Sequence, residues 1–415
     1  MLKLRSISKI DFDNYTKKQE NSSHFMQTSA WGEYEKVTSN VTPHYLGLLN
    51  EDEKIIAATL LLEEHLPMNY CYFYAPRGFI IDYKDKRILS AFTQKLKEFA
   101  KYKKAVAIRI NPAITYKTYD KNNNETTNKD ALKIIEYLKE LGYKRLSNIK
   151  LLEYNYKIDL NKDFKEIQSK YSTNIKEKLT ETEKYDIELI VGSTKDLQEL
   201  FILQDNLKNQ EYYETMYDIF RNNENTNIKI FLGKLHITKT IKSLERDLQR
   251  INNQMSIIPI DNLDTNSKQK LANLKALREK TNKDIEKFRN YKLQYGNYLT
   301  VSANLMMEHN NTVWTLSEAS NHILDETNLS YTIYNEYIKY YKDKGFHIFK
   351  QLSPIEHNPN INELKKEFGG EFTEYIGEYN LTTNKIMYFI QRKIIPIFSK
   401  KEKTNGTCNS NKKRI

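Results

Sequence analysis

LKKEFGGEFTEYIGE, residues 364–378, sets a pair of lysines directly before a diglycine turn and a strand. Lys365 and Lys366 precede Phe368, Gly369 and Gly370, and Phe372, Tyr375 and Ile376 then supply the aromatic and branched residues that a pleated strand prefers. A cation is thereby held beside backbone that is free to turn. On local composition alone the stretch reads as a surface turn between helix and strand.

The segments before it alternate helix and strand. FHIFKQL (346–352) has strand character and follows a helical stretch, Tyr331–Lys344, that Gly345 ends. YLTVSANLMME (298–308) and TVWTLSE (312–318) form a hairpin around Asn310 and Asn311. Earlier come a helix over Lys176–Lys184, the strand IELIV (187–191), helices between Lys195 and Arg221, and the strand IKIFLGKL (228–235).

The first third shows the same order. YLGLL (45–49) and IIAATLLLEE (55–64) flank the turn NEDEK, and YCYFY (70–74) closes at Pro76, Arg77 and Gly78. Ile88, Phe92, Leu96 and Phe99 recur at helical spacing before the strand AVAIRI (105–110). A helix over Leu132–Leu141 stops at Gly142, and LLEYNYKIDL (151–160) resumes a strand. Element order therefore predicts an α/β chain of mixed α+β type with two units of the usual domain size.

Between IKIFLGKL and the later hairpin lies a segment of different character. Ile241, Leu244, Leu248, Ile251 and Met255 recur at spacings of three and four, the seam of a coiled coil, and Leu271, Leu274, Ile285 and Phe288 continue it less regularly. Pro259 and the Asn/Asp cluster in SIIPIDNLDTNSK (256–268) form the tip. An antiparallel hairpin arm over 238–294 is expected, with a dimerising helix pair as the alternative. The chain closes with NKIMYFIQRKIIPIFSKKEK (384–403), whose Ile386, Phe389, Ile390 and Ile394 share a helical face among basic residues. Such a stretch can lie on an anionic membrane or pack as a last helix before a basic disordered tail at 401–415.

Composition narrows the class. The 415 residues carry 65 Lys and Arg against 54 Asp and Glu, a net charge of +11 that favours polyanionic partners. An AT-rich genome gives the same abundance of Lys and Asn, so both explanations stay open. Cys71 and Cys408 stand too far apart in character for a disulfide framework, and the charged N-terminus leaves no room for a signal peptide or membrane span, so a cytoplasmic protein is expected. The eight histidines form no metal-ligand spacing, and no metal site is expected. GxxxxGK[ST], GxGxxG and GxSxG patterns are missing, which removes support for nucleotide hydrolysis, dinucleotide redox and serine hydrolase chemistry. Catalysis by positioning and electrostatics remains, with the substrate's own amine or hydroxyl attacking.

SAWGEYEK (29–36), YFYAPRGFIIDY (72–83), AIRINP (107–112), SKYSTNIKEKL (169–179), the coiled-coil insertion and LKKEFGGEFTEYIGEY (364–379) follow one another in an order that resembles the FemABX peptidyltransferases over nearly the whole chain. The resemblance implies two GNAT-like N-acyltransferase domains: residues 1–160, completed by about 380–400, and residues 161–379, with the arm inserted in the second. It implies aminoacyl-tRNA as co-substrate rather than a bound cofactor, and transfer of Gly, Ser or Ala to the stem-peptide amine of lipid II or a UDP-linked muropeptide. Monomer and homodimer are both compatible.

By the same resemblance Lys365 occupies the family's FK position as the catalytic cation, with Leu364 replacing the aromatic that precedes it. Trp31 matches the early Trp motif. Lys36 is a candidate shifted by one position, because Glu35 stands where the family often has lysine. Lys170, Asn174 and Lys176 belong to the precursor-binding motif, in which Ser172 replaces a typical arginine. Arg77 with Gly78 matches an RG turn, where a structural role competes with substrate binding. Trp314, Ser320 and Asn321 are candidate pocket liners in a segment that departs from the family's Gly and Tyr pattern. Rival readings are a non-catalytic RNA-binding protein and an acyl-CoA N-acyltransferase.

Overall fold

The computed structural model describes residues 2–19, 23–120, 122–147, 154–204, 210–224, 226–259, 264–352 and 366–391. Leu364, Lys365 and the tail at 401–415 lie outside the described residues.

The chain begins with β1 (Lys3–Ser6), α1 (Lys9–Lys18) and α2 (Ser29–Ser39), followed by β2 (Thr42–Leu49), β3 (Ile55–Leu66) and β4 (Tyr70–Ala75). Next come α3 (Lys86–Tyr102), β5 (Ala105–Ile110), β6 (Thr115–Tyr119), β7 (Glu125–Thr127), α4 (Lys129–Glu140), β8 (Lys144–Arg145) and β9 (Tyr154–Asp159). The middle holds α5 (Phe164–Ser169), α6 (Thr173–Thr182), β10 (Ile187–Val191), α7 (Leu197–Gln204), α8 (Gln210–Phe220) and β11 (Thr226–His236). After the long pair α9 (Ile237–Ser256) and α10 (Thr265–Tyr295) come β12 (Tyr298–His309), β13 (Thr312–Ser320), α11 (Leu329–Asp343), β14 (Ile348–Leu352), β15 (Glu371–Tyr375), β16 (Tyr379–Thr382) and α12 (Lys385–Phe389).

These strands build two sheets. One runs β1-β2-β3-β4-β5-β16-β8 and the other β10-β11-β12-β13-β14-β9-β15-β6-β7. Both are antiparallel except at one place each, where β4 lies parallel to β5 and β13 parallel to β14. The expected mixed α/β class and its hairpins are thus present, β2–β3 and β12–β13 among them. The sheets also trade strands: β6 leaves the neighbourhood of β5 to pair with β15 in the second sheet, with β7 on its outer edge, and β16 returns from β15 to the first.

Strand alternation explains why both sheets read as continuous apolar runs. On β3, Ala58, Leu60 and Leu62 face a middle layer shared with the second sheet, while Ala57 and Leu61 face the layer beneath α3 and α4. On β11, Ile228, Ile230 and Leu232 enter the same middle layer, and Phe231 and Leu235 point to the far side, where α11 and the root of the arm pack. The middle layer, filled by α2, α7 and α8 with Trp31, Phe201 and Phe220, joins the two halves through one apolar core.

The arm is an antiparallel hairpin. Ile241, Leu244 and Ile251 of α9 are buried, as are Leu274, Ile285 and Phe288 of α10, and Arg289 pairs with Glu245 across the seam at 2.8 Å. At about 1.5 Å per residue, the 31 residues of α10 span about 46 Å. Among the described residues no helix is long and apolar enough to cross a membrane.

Candidate functional site

The turn after Lys365 is fixed by what it touches. Phe368 is 1% exposed and wedges between Tyr171 and Tyr334, with ring centroids 5.1 and 4.6 Å away. Gly369 has φ +72°, and a Cβ there would stand 2.6 Å from the Lys170 Cβ. Glycine is therefore required both by conformation and by the approach of the α5–α6 junction. Two further contacts hold the pieces together: Ser172 N donates to Glu367 O at 2.8 Å, and Asn174 Nδ2 donates to Glu367 Oε2 at 2.7 Å.

Lys170 and Asn174, singled out far from residue 365 in sequence, thus stand against the 366–369 turn, with Lys176 further along α6. All three are exposed, and Lys176 Nζ donates to Ser169 O at 3.1 Å. Ser172, in place of an arginine, caps α6 by accepting from Ile175 N at 3.1 Å. Lys366 Nζ reaches Asn123 Oδ1 at 2.6 Å.

A second group of candidates meets where the two sheets adjoin. The turn that follows β4 places Arg77 in the left-handed region at φ 55°, buried to 3% exposure. Gln27 secures this turn, with its Nε2 donating to Pro76 O at 2.8 Å and its Oε1 accepting from Leu60 N at 2.9 Å. Arg77 Nη1 donates to Asn111 Oδ1 at 2.6 Å, and Asn111 Nδ2 donates to Glu378 Oε1 at 3.0 Å. Glu378, fully buried, accepts from Arg109 Nε at 2.7 Å, and Arg109 Nη2 bonds the same oxygen.

The guanidinium of Arg77 also lies 4.7 Å from the centre of the Tyr375 ring. Lys350 Nζ approaches the Tyr375 hydroxyl at 3.5 Å and stands 5.7 Å from the Trp314 ring, which the parallel register of β13 and β14 sets beside it. Burial by itself raises the Tyr375 phenol, but the Lys350 and Arg77 charges and hydrogen bonding outweigh it and leave the group below its ordinary value. His24, against Trp314 with ring centroids 5.0 Å apart, is held well below the usual imidazole range by burial first, then by Arg77, Lys350 and His309. A cavity of about 530 Å³ opens among Arg77, Trp314, Lys350, His24 and the loop from Phe79 to Lys84.

The other candidates lie elsewhere. Trp31 is 5% exposed within the middle core, edge-on to Phe25, and Lys36 is exposed further along α2. Ser320 ends β13 six residues beyond Trp314, about 20 Å at strand spacing. The Asn321 side chain is engaged in backbone bonds, accepting from Ile323 N at 3.2 Å and donating to Thr300 O at 2.9 Å. Arg77 and Trp314 therefore share a cavity that Ser320 and Asn321 do not line. Sequence reasoning missed Lys350, Tyr375 and Glu378 as members of this constellation; the GFIIDY run after Arg77 and the Glu ending the 364–378 stretch were the signals available.

The sequence model of the FemAB family matches residues 7–394. Aminoacyltransferase FemA of Staphylococcus epidermidis is 22% identical over 416 residues, covering 94% of this chain and 98% of that protein. Aminoacyltransferase FemA of Staphylococcus aureus is 21% identical over 409 residues, covering 93% and 97%. The crystal structure of FemX matches with a TM-score of 0.72 at 19% identity, covering 94% of this chain and 99% of that one. That likeness shows the fold, here two joined mixed sheets with the long helix pair α9–α10. With the match extending over nearly the whole length, the chain belongs to the FemAB family of aminoacyltransferases.

Proposed function

We propose that this protein moves an amino acid, Gly, Ser or Ala, from aminoacyl-tRNA to the stem-peptide amine of a peptidoglycan precursor, lipid II or its UDP-linked form, and so extends an interpeptide bridge in the cytoplasm. The observation that carries it is the docking of the 366–369 turn on the α5–α6 junction. The two stretches that the resemblance assigns to catalysis and to the precursor are bonded neighbours, through Ser172, Asn174 and Glu367.

In the transfer, the free amine attacks the ester carbonyl, a C–N bond forms, the ester C–O bond breaks, and the amine proton passes to the departing ribose oxygen. A tetrahedral oxyanion lies between. Lys365 acts as a fixed positive charge toward that oxyanion or a neighbouring tRNA phosphate. Lys170, Asn174 and Lys176 supply donors for the precursor's phosphates, with Lys36 as a further contributor from the first half, while Trp31 packs in the core beneath α2. The exposed Ile386 and Phe389 of α12, at 74% and 59%, support peripheral contact with an anionic membrane face, where a lipid-linked acceptor resides.

The purified protein, mixed with charged tRNA and lipid II, is expected to form an amide at the peptide amine. Lys365→Met should lower turnover by about 100- to 1,000-fold, the size of a lost oxyanion contact, with an unchanged circular dichroism spectrum. Normal turnover in the folded variant removes Lys365 from the mechanism. Acylation from acyl-CoA in place of tRNA, or tRNA binding without transfer, replaces the reaction itself.

A further inference from the structure

The cavity between the sheets has a chemistry that the transfer step leaves unused. Three cations line it, and they differ. Lys84 is tied to Asp130 at 2.6 Å. Arg77 and Lys350 both approach the Tyr375 ring, at 4.7 and 6.0 Å from its centre, and among the described residues no carboxylate lies within ion-pair range of Lys350. Phe79, Ile81, Ile134, Trp314 and Ile348 make an apolar part of the remaining wall, and Gln19, Ser23, Thr115, Asn128 and Thr312 supply neutral hydrogen-bonding groups beside it. At about 530 Å³ the space matches sites for small organic ligands, which run from about 300 to 1,000 Å³ with a few convergent polar groups.

The charge count selects the kind of anion. Asp82 also lines the cavity and Arg77 is engaged with Asn111, so the charge left for a ligand is that of a single cation, Lys350. That suits a monoanion better than a phosphate dianion. The helix starts beside the cavity offer no phosphate cradle either: Asn128 Oδ1, at the start of α4 and on the cavity wall, accepts from Asp130 N at 3.0 Å and Ala131 N at 3.3 Å, and the Asp85 carboxylate caps α3, accepting from Ile88 N at 3.0 Å.

We propose that this cavity is a subsite for the carboxylate end of a short apolar peptide, with Lys350 and Arg77 holding the carboxylate and Trp314, Phe79 and the isoleucines holding its small side chains. For the ligand's identity the inference rests on the transferase reading above, in which the subsite receives the far end of the acceptor peptide. Bidentate or paired cation contacts to a carboxylate are the strong, directional kind of hydrogen bond, so the subsite would also orient the acceptor.

Equilibrium binding to the full-length protein, followed by ligand NMR without tRNA, tests it with three probes: N-acetyl-alanylalanine as the free acid, the same peptide as its C-terminal amide, and inorganic phosphate. The acid should bind at least about tenfold more tightly than the amide, the scale of one charge-assisted bond. Lys350→Gln should weaken the acid by about tenfold and leave the amide unchanged, while Lys350→Arg keeps the preference. Lys350 is half-buried on a strand whose partners are main-chain, so these variants test binding in a folded protein, as their thermal transitions will show. Equal binding of acid and amide, binding of phosphate in preference to the acid, indifference to Lys350→Gln, or no binding at all overturns the proposal. Because transfer is not measured, acid-selective binding beside a failed transfer assay removes the reaction and keeps the subsite's chemistry; normal transfer without such binding removes the subsite alone.

Discussion

Arg109 and Lys350 stand at opposite ends of the crossing segment Tyr375–Glu378, which carries the chain from the second sheet to the first, and they are treated differently. Arg109 is 11% exposed and meets a fully buried carboxylate, Glu378, which Asn111 also bonds. Lys350 is half-buried and meets aromatic rings and a phenol, with a cavity in front of it. A buried cation with a matched carboxylate specifies how two pieces of structure join. A cation beside a cavity, compensated by aromatic faces alone, keeps its charge available to a ligand. Arg77 belongs to both arrangements, bonded to Asn111 on one side and over Tyr375 on the other.

The largest expected effect breaks the compensated end. Glu378→Gln leaves Arg109 buried without the carboxylate to which it donates, and the loss of one partner from such a pair costs about 3–5 kcal/mol. Urea denaturation at neutral pH should show this as a lower midpoint with an unchanged slope. A loss under about 1 kcal/mol would mean that water or other groups replace the carboxylate, and the contrast with Lys350 would disappear.

Acid should strain the other end. His24 is neutral in the folded protein and held well below its ordinary 6.5, by burial and then by the Arg77, Lys350 and His309 charges. Its folded value is depressed, so the unfolded chain binds the proton first, and the stability present above 6.5 is lost as the pH falls. The loss grows as the pH falls below 6.5, with about 1.4 kcal/mol per pH unit as its upper limit. His24→Asn should flatten that part of the stability profile, measured as urea midpoints at pH 7 and pH 5. A variant that loses stability with the same slope as the wild type would place the acid sensitivity in other groups.

The contrast between these ends was only partly legible in the sequence. Local signals carried the fold far: the spacing of Ile241, Leu244 and Ile251 announced the arm, and alternating strands announced the hairpins, because both depend on neighbours a few residues away. Strand partners hundreds of residues apart were silent. TYKTY and ETT, at β6 and β7, give no hint that they extend the second sheet through β15, since register between distant strands is set by burial in the assembled layers. The site divides likewise. Trp314 and Arg77 were visible as unusual residues, whereas Lys350 looks like any lysine in FHIFKQL until the parallel register puts it beside Trp314. Ser320 and Asn321 show the converse, since they share a motif with Trp314 but lie about 20 Å along the same strand.

The smallest expected effect sharpens the contrast most. Lys350→Met removes a charge, keeps the length of the stem, and leaves no carboxylate behind among the described residues. What the fold loses is a cation over Trp314 and Tyr375, worth about 0.5–1 kcal/mol at partly exposed positions. What it gains is relief of repulsion between Lys350 and the Arg77 guanidinium, both of which face Tyr375. The two nearly cancel, so the urea midpoint should move by less than the equivalent of about 1 kcal/mol in either direction. The Tyr375 phenol is the sensitive reporter: with one of its two cations gone, burial regains the upper hand and its ionisation, followed by ultraviolet absorbance, should move to higher pH. A Lys350→Met protein destabilised as severely as Glu378→Gln would make Lys350 a structural cation like Arg109, and the cavity would then lose the charge on which its ligand depends.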